Sequence, residues 1–334
     1  MLRKSITMLF AAALAASAAS YAGAETDAQW KPSVFNKVSK CRGLWLALGD
    51  VPTDRNAATR DTTFVCHPRF ALSHDNITKT PDWVLEKITK RQISGTNSRP
   101  NKGFTSEKRV PPRGRAVDAD YPPKAVGFAR GHMAPSEDFN SSPAAMKDTF
   151  VLSNAVPQIA PFNGGVWGQL EDRVRDAAFA RQEIHVITGP VRRQGNASSV
   201  TLTPAQAGCG REQKIQGPQI AEVCKAHNLN PAVKCKNGVG VPIALYKIVY
   251  DAKGDEVYAF LLPNRVHDNT GNDMLAYLDG FRVTVAAIES LTGIQFFHEL
   301  PQAKQDRLLK QCEAKKFWAE ARPKKKKPKK KKPN

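Results

Sequence analysis

Apolar side chains recur every four residues between Trp167 and Gln182, and this spacing says more about the fold than any other stretch of the chain. Leu170, Val174 and Ala178 lie on one stripe of an α-helix built with this spacing. Such a stripe is buried against another layer of structure in a folded protein. The segment therefore predicts an amphipathic helix, and a chain of 334 residues is long enough to build a core around it.

Short apolar segments on both sides of this helix predict strands, and turn-forming residues separate them. The strand segments are 82–90, 149–154, 184–188 (ending at Gly189-Pro190), 244–250 and 256–262, the last two joined as a hairpin. For residues 82–90 a helical turn is the alternative. Residues 284–291 predict a second helix, which Gly293 caps. Residues 91–124 predict a loop, and residues 191–240 predict a surface insertion.

The chain is strongly basic, with 50 Lys and Arg against 31 Asp and Glu and a net charge of +19. Lys324–Lys327 and Lys329–Lys332 contribute to this charge, but the rest of the chain is basic as well. A surplus of this size favours a polyanionic partner such as nucleic acid. The Lys/Pro tail, residues 321–334, predicts a disordered extension that either aids solubility or adds affinity for DNA.

The first residues have the pattern of a secretory signal peptide. Arg3 and Lys4 precede the apolar run Ile6–Ala19, and small residues at Ala22 and Ala24 follow it. The pattern predicts cleavage near Ala24 and export to the periplasm or the medium. It leaves one domain over residues 25–320, in which no segment is long and apolar enough to span a membrane.

Six cysteines in an exported chain favour disulfide bonds. Cys41 with Cys66 is the preferred pair, and Cys224 with Cys235 would close a short loop. The alternative is a zinc site, although the ligands lack the paired spacing of ordinary structural zinc sites. Its ligands would be Cys209, Cys224, His227 and Cys235.

Two patterns point to chemistry rather than to packing. His132 stands in the segment Ala129-Arg-Gly-His132, and a histidine titrates near neutral pH. Downstream, four polar or aromatic residues follow one another at steps of four: Asn163, Trp167, Glu171 and Arg175. A solvated ion pair between Glu171 and Arg175 would explain only the last two of these four residues. A polar stripe beside the apolar stripe instead indicates a partly buried polar site.

These segments resemble the DNA/RNA non-specific endonucleases of the ββα-metal, or His-Me finger, superfamily. ARGHMAPS (129–136) is similar to the D-R-G-H motif of that family, and DTFVLSNAVPQ (148–158) to its next strand and turn. N-x3-W-x3-E-x3-R (163–175) is similar to its metal-binding helix. Further similarity extends over roughly residues 64–303, so several ordered matches support the resemblance rather than one motif.

The resemblance implies an α+β fold in which helices flank a central antiparallel β-sheet with an embedded ββα-metal finger. It implies hydrolysis of DNA and RNA with Mg²⁺, or Mn²⁺ as the alternative ion, and 5′-phosphate products from a metal-activated leaving group. It also implies that the chain could form a homodimer, although the sequence shows no self-complementary stripe of residues that would form the interface. The implied roles are His132 as general base, Asn163 as the metal ligand, Glu171 as the residue that orients the ion's waters, and Arg99, Arg130 and Arg175 as phosphate contacts.

The chain departs from the family pattern at Ala129, where the family has an aspartate. The loss of such a supporting carboxylate typically costs about 10–100-fold in metal affinity or activity. The main hypothesis is therefore a metal-dependent endonuclease. The alternatives are a catalytically weakened nucleic-acid-binding protein of the same fold, and a cationic protein that attaches to anionic envelopes through its tail.

Overall fold

A computed structural model describes residues 41–101, 103–121, 127–192, 199–218, 238–268, 273–312 and 317. The signal peptide, Cys224, His227, Cys235 and the lysine tail lie outside these residues, so the predictions made for them remain predictions. Among the described helices, none has the length and apolar character required to cross a membrane.

Seven antiparallel strands form the central sheet of the described chain, as the resemblance implied. The strands are β2 (Thr62–Cys66), β3 (Phe70–Asp75), β4 (Thr80–Thr89), β7 (Glu183–Val191), β10 (Ala244–Asp251), β11 (Glu256–Pro263) and β12 (Arg282–Val283). Their order in the sheet is β12-β11-β10-β7-β4-β3-β2, so the strands on either side of β7 come from distant parts of the sequence.

Three two-stranded sheets and seven α-helices complete the described elements. The pairs are β1 (Thr53–Asp54) with β13 (Ile294–Gln295), β5 (Phe128–His132) with β6 (Ala155–Ile159), and β8 (Ser199–Leu202) with β9 (Gln213–Gln216). The helices are α1 (Pro143–Asp148), α2 (Ala160–Phe162), α3 (Gly168–Arg181), α4 (Pro204–Ala207), α5 (Met274–Asp279), α6 (Val285–Thr292) and α7 (Gln302–Lys310).

The sheet is buried on both faces because side chains alternate between two apolar layers. On one face, Val84 and Val249 pack in the same cluster as Leu170 and Val174 of α3. On the other face, the intervening strand residues pack with helices α6 and α7. The helix predicted at 167–182 therefore covers the sheet with the stripe that the sequence indicated.

One predicted strand and one predicted strand end are wrong. Residues 149–154 form no strand: Val151 makes one isolated bridge with Thr105, and a 3₁₀ turn follows at Leu152–Asn154. Strand β7 does not end at 188 but continues through Gly189 and Pro190 to Val191. Proline is tolerated there because pairing with β4 ends at Thr188 and only pairing with β10 continues.

The hairpin and the second helix are confirmed. Strands β10 and β11 pair from Ala244 opposite Pro263 to Asp251 opposite Glu256. Helix α6 begins after Thr284, whose hydroxyl accepts a hydrogen bond from the Ala287 amide, and it ends at Gly293 in the left-handed conformation.

Two disulfides join the described cysteines, Cys41 with Cys66 and Cys209 with Cys312. The preferred N-terminal pair is therefore confirmed. The zinc hypothesis is wrong for Cys209, because a cysteine in a disulfide offers no thiolate to a metal ion.

Candidate active site

His132 is the last residue of strand β5, and the β5–β6 pairing sets it opposite Ala155. The ring is 8% exposed and lies between two phenylalanines, with centroid distances of 4.7 Å to Phe104 and 4.8 Å to Phe150. Its Nε2 makes no hydrogen bond with any described residue. A buried ring nitrogen left unpaired inside an aromatic wall is unusual for a structural histidine.

Burial, together with a smaller effect of the nearby positive charge of Arg99, lowers the pKa of His132 to about 3. The imidazole is therefore neutral at neutral pH, which is the form that can accept a proton. Arg99 itself is exposed, and its guanidinium lies 5.5 Å from the centroid of Phe150. The structure thus brings the predicted base and one predicted phosphate contact to the same aromatic ring.

The turn after His132 is held by the side-chain amide of Asn154. Its Oδ1 accepts from the Ala134 amide at 2.9 Å, and its Nδ2 donates to the carbonyls of Ala134 and Thr149 at 3.0 Å each. These are buried bonds, and a buried polar group left without its partner costs about 1–3 kcal/mol. Asn154 lies in the family-like segment 148–158, but no local pattern in the sequence predicts this role for it.

Gly131 allows a second strand-to-strand contact beside His132. A Cβ at this position would lie 2.0 Å from Cδ of Gln158, because that side chain crosses the glycine. Gln158 is fully buried, and neither atom of its amide has a hydrogen-bond partner among the described residues. It stands opposite Ala129, the position where the family carries an aspartate. Gln158 therefore packs against the strand that carries His132, a contact that the sequence did not predict.

Asn264 fixes strand β6 on both sides of Gln158. Its Oδ1 accepts from the Ile159 amide at 2.9 Å, and its Nδ2 donates to the carbonyls of Pro157 and Pro242 at 3.0 Å each. The side chain is fully buried just beyond the end of β11. The large sheet thereby sets the position of the small β5–β6 sheet.

Arg130 lies on β5 next to His132, where it makes an ion pair with Asp118 at 2.5 Å. Its guanidinium also lies 5.6 Å from the ring centroid of Tyr121. The hydroxyl of Tyr121 in turn donates to the carbonyls of Leu152 and Ala155. Because Asp118 is exposed, this ion pair is solvated and Arg130 can exchange its partner for a phosphate.

Asn163 begins a π-type turn that runs to Trp167, rather than a regular α-helical turn. Gly165 leaves helical geometry there, with φ of −102° and ψ of −112°. The regular helix α3 starts only at Gly168. Asn163 and Trp167 are four residues apart in the sequence, but they do not lie on one face of a regular α-helix. Turns of the π type are frequent at functional sites.

Glu171 and Arg175 lie on α3, one turn apart. Burial raises the pKa of the half-buried Glu171 to about 7, although the charges of Lys247 and Arg175 act in the opposite direction. Arg175 is 7% exposed and donates to Asp138 at 2.7 Å and to Asp172 at 2.8 Å. The structure gives Arg175 two carboxylate partners, and its contact with a phosphate stays a prediction.

The donor set at the start of the helix fits a hard divalent cation. Asn163 is half-buried at the π-type turn, and Glu171 supplies a carboxylate further along, on α3. Mg²⁺ prefers oxygen ligands and retains several waters. These residues offer amide and carboxylate oxygens and no sulfur.

Two paired strands followed by a helix, with a histidine on the first strand and an asparagine at the start of the helix, define the ββα class of site. The chain belongs to the DNA/RNA non-specific endonuclease family, whose model matches residues 50–303.

The chain is 30% identical over 248 residues to the mitochondrial nuclease EXOG of Homo sapiens, covering 72% of this chain and 59% of that protein. It is 28% identical over 263 residues to nuclease C1 of Cunninghamella echinulata var. echinulata, covering 76% of this chain and 88% of that protein. The solved structure of EndoG in complex with EndoGI has a similar fold, with a TM-score of 0.55 and 22% identity over 74% of this chain and 91% of that one. The chain spans 58–60% of the length of the vertebrate EXOG proteins it matches.

Proposed function

We propose that this chain is an exported, metal-dependent endonuclease that hydrolyses the phosphodiester bonds of both DNA and RNA. The observation that carries the proposal is the buried, unpartnered Nε2 of His132 on a strand whose partner runs directly into the Asn163 turn. Family membership over residues 50–303 supports the same activity. The basic surplus of the chain supports a polyanionic substrate.

In this mechanism the neutral imidazole of His132 accepts a proton from the attacking water. Its aromatic wall of Phe104 and Phe150 excludes other proton donors, and Asn154 fixes the turn that follows it. Arg99 and Arg130 contact the substrate phosphate and offset the negative charge that grows there, since the guanidinium fork matches phosphate oxygens.

Asn163 would bind Mg²⁺ directly through its amide oxygen, and Glu171 would orient the waters of the ion. When bound, the ion would supply charge neutralisation at the phosphate and activation of the leaving oxygen, consistent with 5′-phosphate products. A divalent cation close to Glu171 would favour its ionised carboxylate.

Export is the part of the proposal that rests on residues 1–24. Two disulfides in the described chain fit an oxidising compartment. Several relatives are mitochondrial by name, so the relatives give export no support. N-terminal sequencing of protein recovered from the periplasm or medium tests the expected start at Glu25.

The second candidate is a nucleic-acid-binding protein with weakened catalysis, and the observation that favours it is Ala129. A plasmid-nicking assay with Mg²⁺, with and without EDTA, and a parallel assay on single-stranded RNA distinguish the two. The endonuclease cleaves both substrates and stops in EDTA. A protein that retards DNA in a gel but leaves it uncut in Mg²⁺ and in Mn²⁺ supports the second candidate.

A further inference from the structure

A charged side chain occupies a buried position on each of two central strands of the sheet. Glu86 of β4 stands opposite Val186 of β7, and Lys247 of β10 stands opposite Thr188 of the same strand. The two positions therefore share one face of the sheet, and each side chain is 1% exposed. This is the face that helix α3 covers with Leu170 and Val174.

Lys247 lies between the sheet and the helical segment that carries Asn163 and Glu171. Its ammonium donates to Oγ1 of Thr188 at 2.7 Å and lies 5.0 Å from the ring centroid of Trp167. Trp167 ends the π-type turn that starts at Asn163, and Glu171 follows one turn later. A buried ammonium is stable only when carboxylates or dipoles balance it.

Three carboxylates and two cations face one another in this layer. Glu86 and Lys247 come from the sheet, Glu171 and Arg175 come from α3, and Asp138 comes from the turn at Ser136–Phe139. Asp138 is already paired with Arg175 at 2.7 Å. Of the two remaining carboxylates, neither oxygen of Glu86 has a hydrogen-bond partner among the described residues.

Asp172 also pairs with Arg175, but its side chain is half exposed and therefore solvated. Counted without Asp172, the charges of the cluster balance if Glu86 is a neutral acid, because Lys247 then offsets Glu171 while Arg175 offsets Asp138. Burial and repulsion from Asp138 raise the pKa of Glu86 well above its usual range, which agrees with this assignment. Burial lowers the pKa of Lys247, and the charges of Glu171 and Glu86 act against that change.

We propose that Lys247 is a positioning residue of the nuclease site, whose buried charge holds the Glu171 carboxylate toward the metal ion from beneath the helix. Lys247 touches neither the substrate nor the ion, so its effect passes through Glu171 and Trp167. The inference rests on the proposed function, since it assigns Glu171 to the waters of the ion.

The test measures binding of Mn²⁺ alone, followed by the loss of the free-ion electron paramagnetic resonance signal. Lys247→Met keeps a long apolar side chain against Trp167 and removes only the charge. We expect this variant to bind Mn²⁺ about 10-fold more weakly, the lower end of the usual effect of a supporting residue. The matched control is Lys87→Met, which removes a charge from the opposite face of β4, where Lys87 lies 3.6 Å from Glu183. It should bind Mn²⁺ as the parent does.

A double-mutant cycle separates this role from simple packing. In the Glu171→Gln background, Lys247→Met should have no further effect on Mn²⁺ affinity, because the carboxylate it serves is gone. Equal losses in both backgrounds, or an unchanged affinity of Lys247→Met alone, would overturn the proposal.

Thermal midpoints of the same four proteins, measured without metal, give a second and independent result. Loss of Lys247 leaves Glu171 only Arg175, which Asp138 and Asp172 already pair, so the combined Lys247→Met and Glu171→Gln variant should melt higher than Lys247→Met alone. The comparison remains informative even where Lys247→Met is largely unfolded. A double variant that melts no higher than Lys247→Met contradicts the proposed interaction of Lys247 with Glu171. A parent that binds no Mn²⁺ would contradict the proposed function, whereas the thermal cycle would still decide whether Lys247 and Glu171 are paired.

Discussion

Replacing Gly131 by alanine tests how the two strands of the site are packed. The added Cβ would lie 2.0 Å from Cδ and 2.2 Å from Nε2 of Gln158. Backbone torsion is not the obstacle, since Gly131 lies within regular strand β5 and has no positive φ. Gln158 is fully buried and held in a strand that Asn264 fixes on both sides, so it cannot swing into solvent. Either the side chain or the strand must move.

Overpacking of this kind costs about 1–3 kcal/mol. At about 2–4 °C per kcal/mol for a chain of this size, the thermal midpoint should fall by roughly 2–12 °C. The strand that moves also carries His132, and a displacement of about 1 Å at a catalytic group can cost on the order of 100-fold in rate. We expect Gly131→Ala to lose activity by about that factor while it remains folded.

The assay is plasmid nicking at saturating Mg²⁺ together with a thermal melt of the same preparation. Gly103→Ala is the matched control, because a Cβ there meets no atom within 4 Å. A Gly131→Ala protein with the midpoint and nicking rate of this control would refute the reasoning, since Gln158 would then have room that the structure does not give it.

Three further substitutions probe the metal site and the buried cluster. Asn163→Ala should raise the Mg²⁺ concentration needed for half-maximal cleavage, since it deletes the one proposed protein ligand of the ion; a titration curve that superimposes on the parent would place the ion elsewhere. Ala129→Asp should raise cleavage in Mg²⁺, and a stable variant with equal or lower kcat/KM would mean that the site does not depend on the missing carboxylate. Burial raises the pKa of Glu86, so the folded parent keeps a proton that the unfolded chain releases as pH rises from about 4 to 8, and the parent loses stability over this range. Glu86→Gln has no such proton, so its thermal midpoint should rise increasingly above that of the parent over the same range. A difference in midpoint that is independent of pH would mean that Glu86 is ionised in the fold.

Local patterns were sufficient to predict much of the sheet and its main helix. The four-residue spacing of Leu170, Val174 and Ala178 led to α3, and the turn at 251–255 led to the β10–β11 hairpin. The strand predicted at 149–154 is absent because an apolar run does not reveal whether a partner strand is present. The end predicted at Gly189-Pro190 is wrong because a proline is tolerated in a strand where pairing with a neighbouring strand ends.

The residues around the site were harder to predict, because their roles arise from contacts between distant segments. Asn264 reaches strand β6 from about a hundred positions away, and no local pattern marks it. Glu86 and Lys247 did leave a signal. Each interrupts an alternating apolar face, as in Val84-x-Glu86-x-Ile88, where a buried charge requires a partner in another element. Only the assembled sheet shows which partner that is.

The central claim is that His132 is the general base of a metal-dependent nuclease. The most direct measurement is single-turnover cleavage of a defined DNA duplex in saturating Mg²⁺ by the parent, by His132→Ala and by the control His298→Ala, with DNA affinity measured in parallel by fluorescence anisotropy. The account predicts that His132→Ala loses cleavage by at least about 100-fold, the lower range for a general base, while its DNA affinity and the activity of the control stay close to the parent. Cleavage by His132→Ala at the parental rate near neutral pH would contradict it.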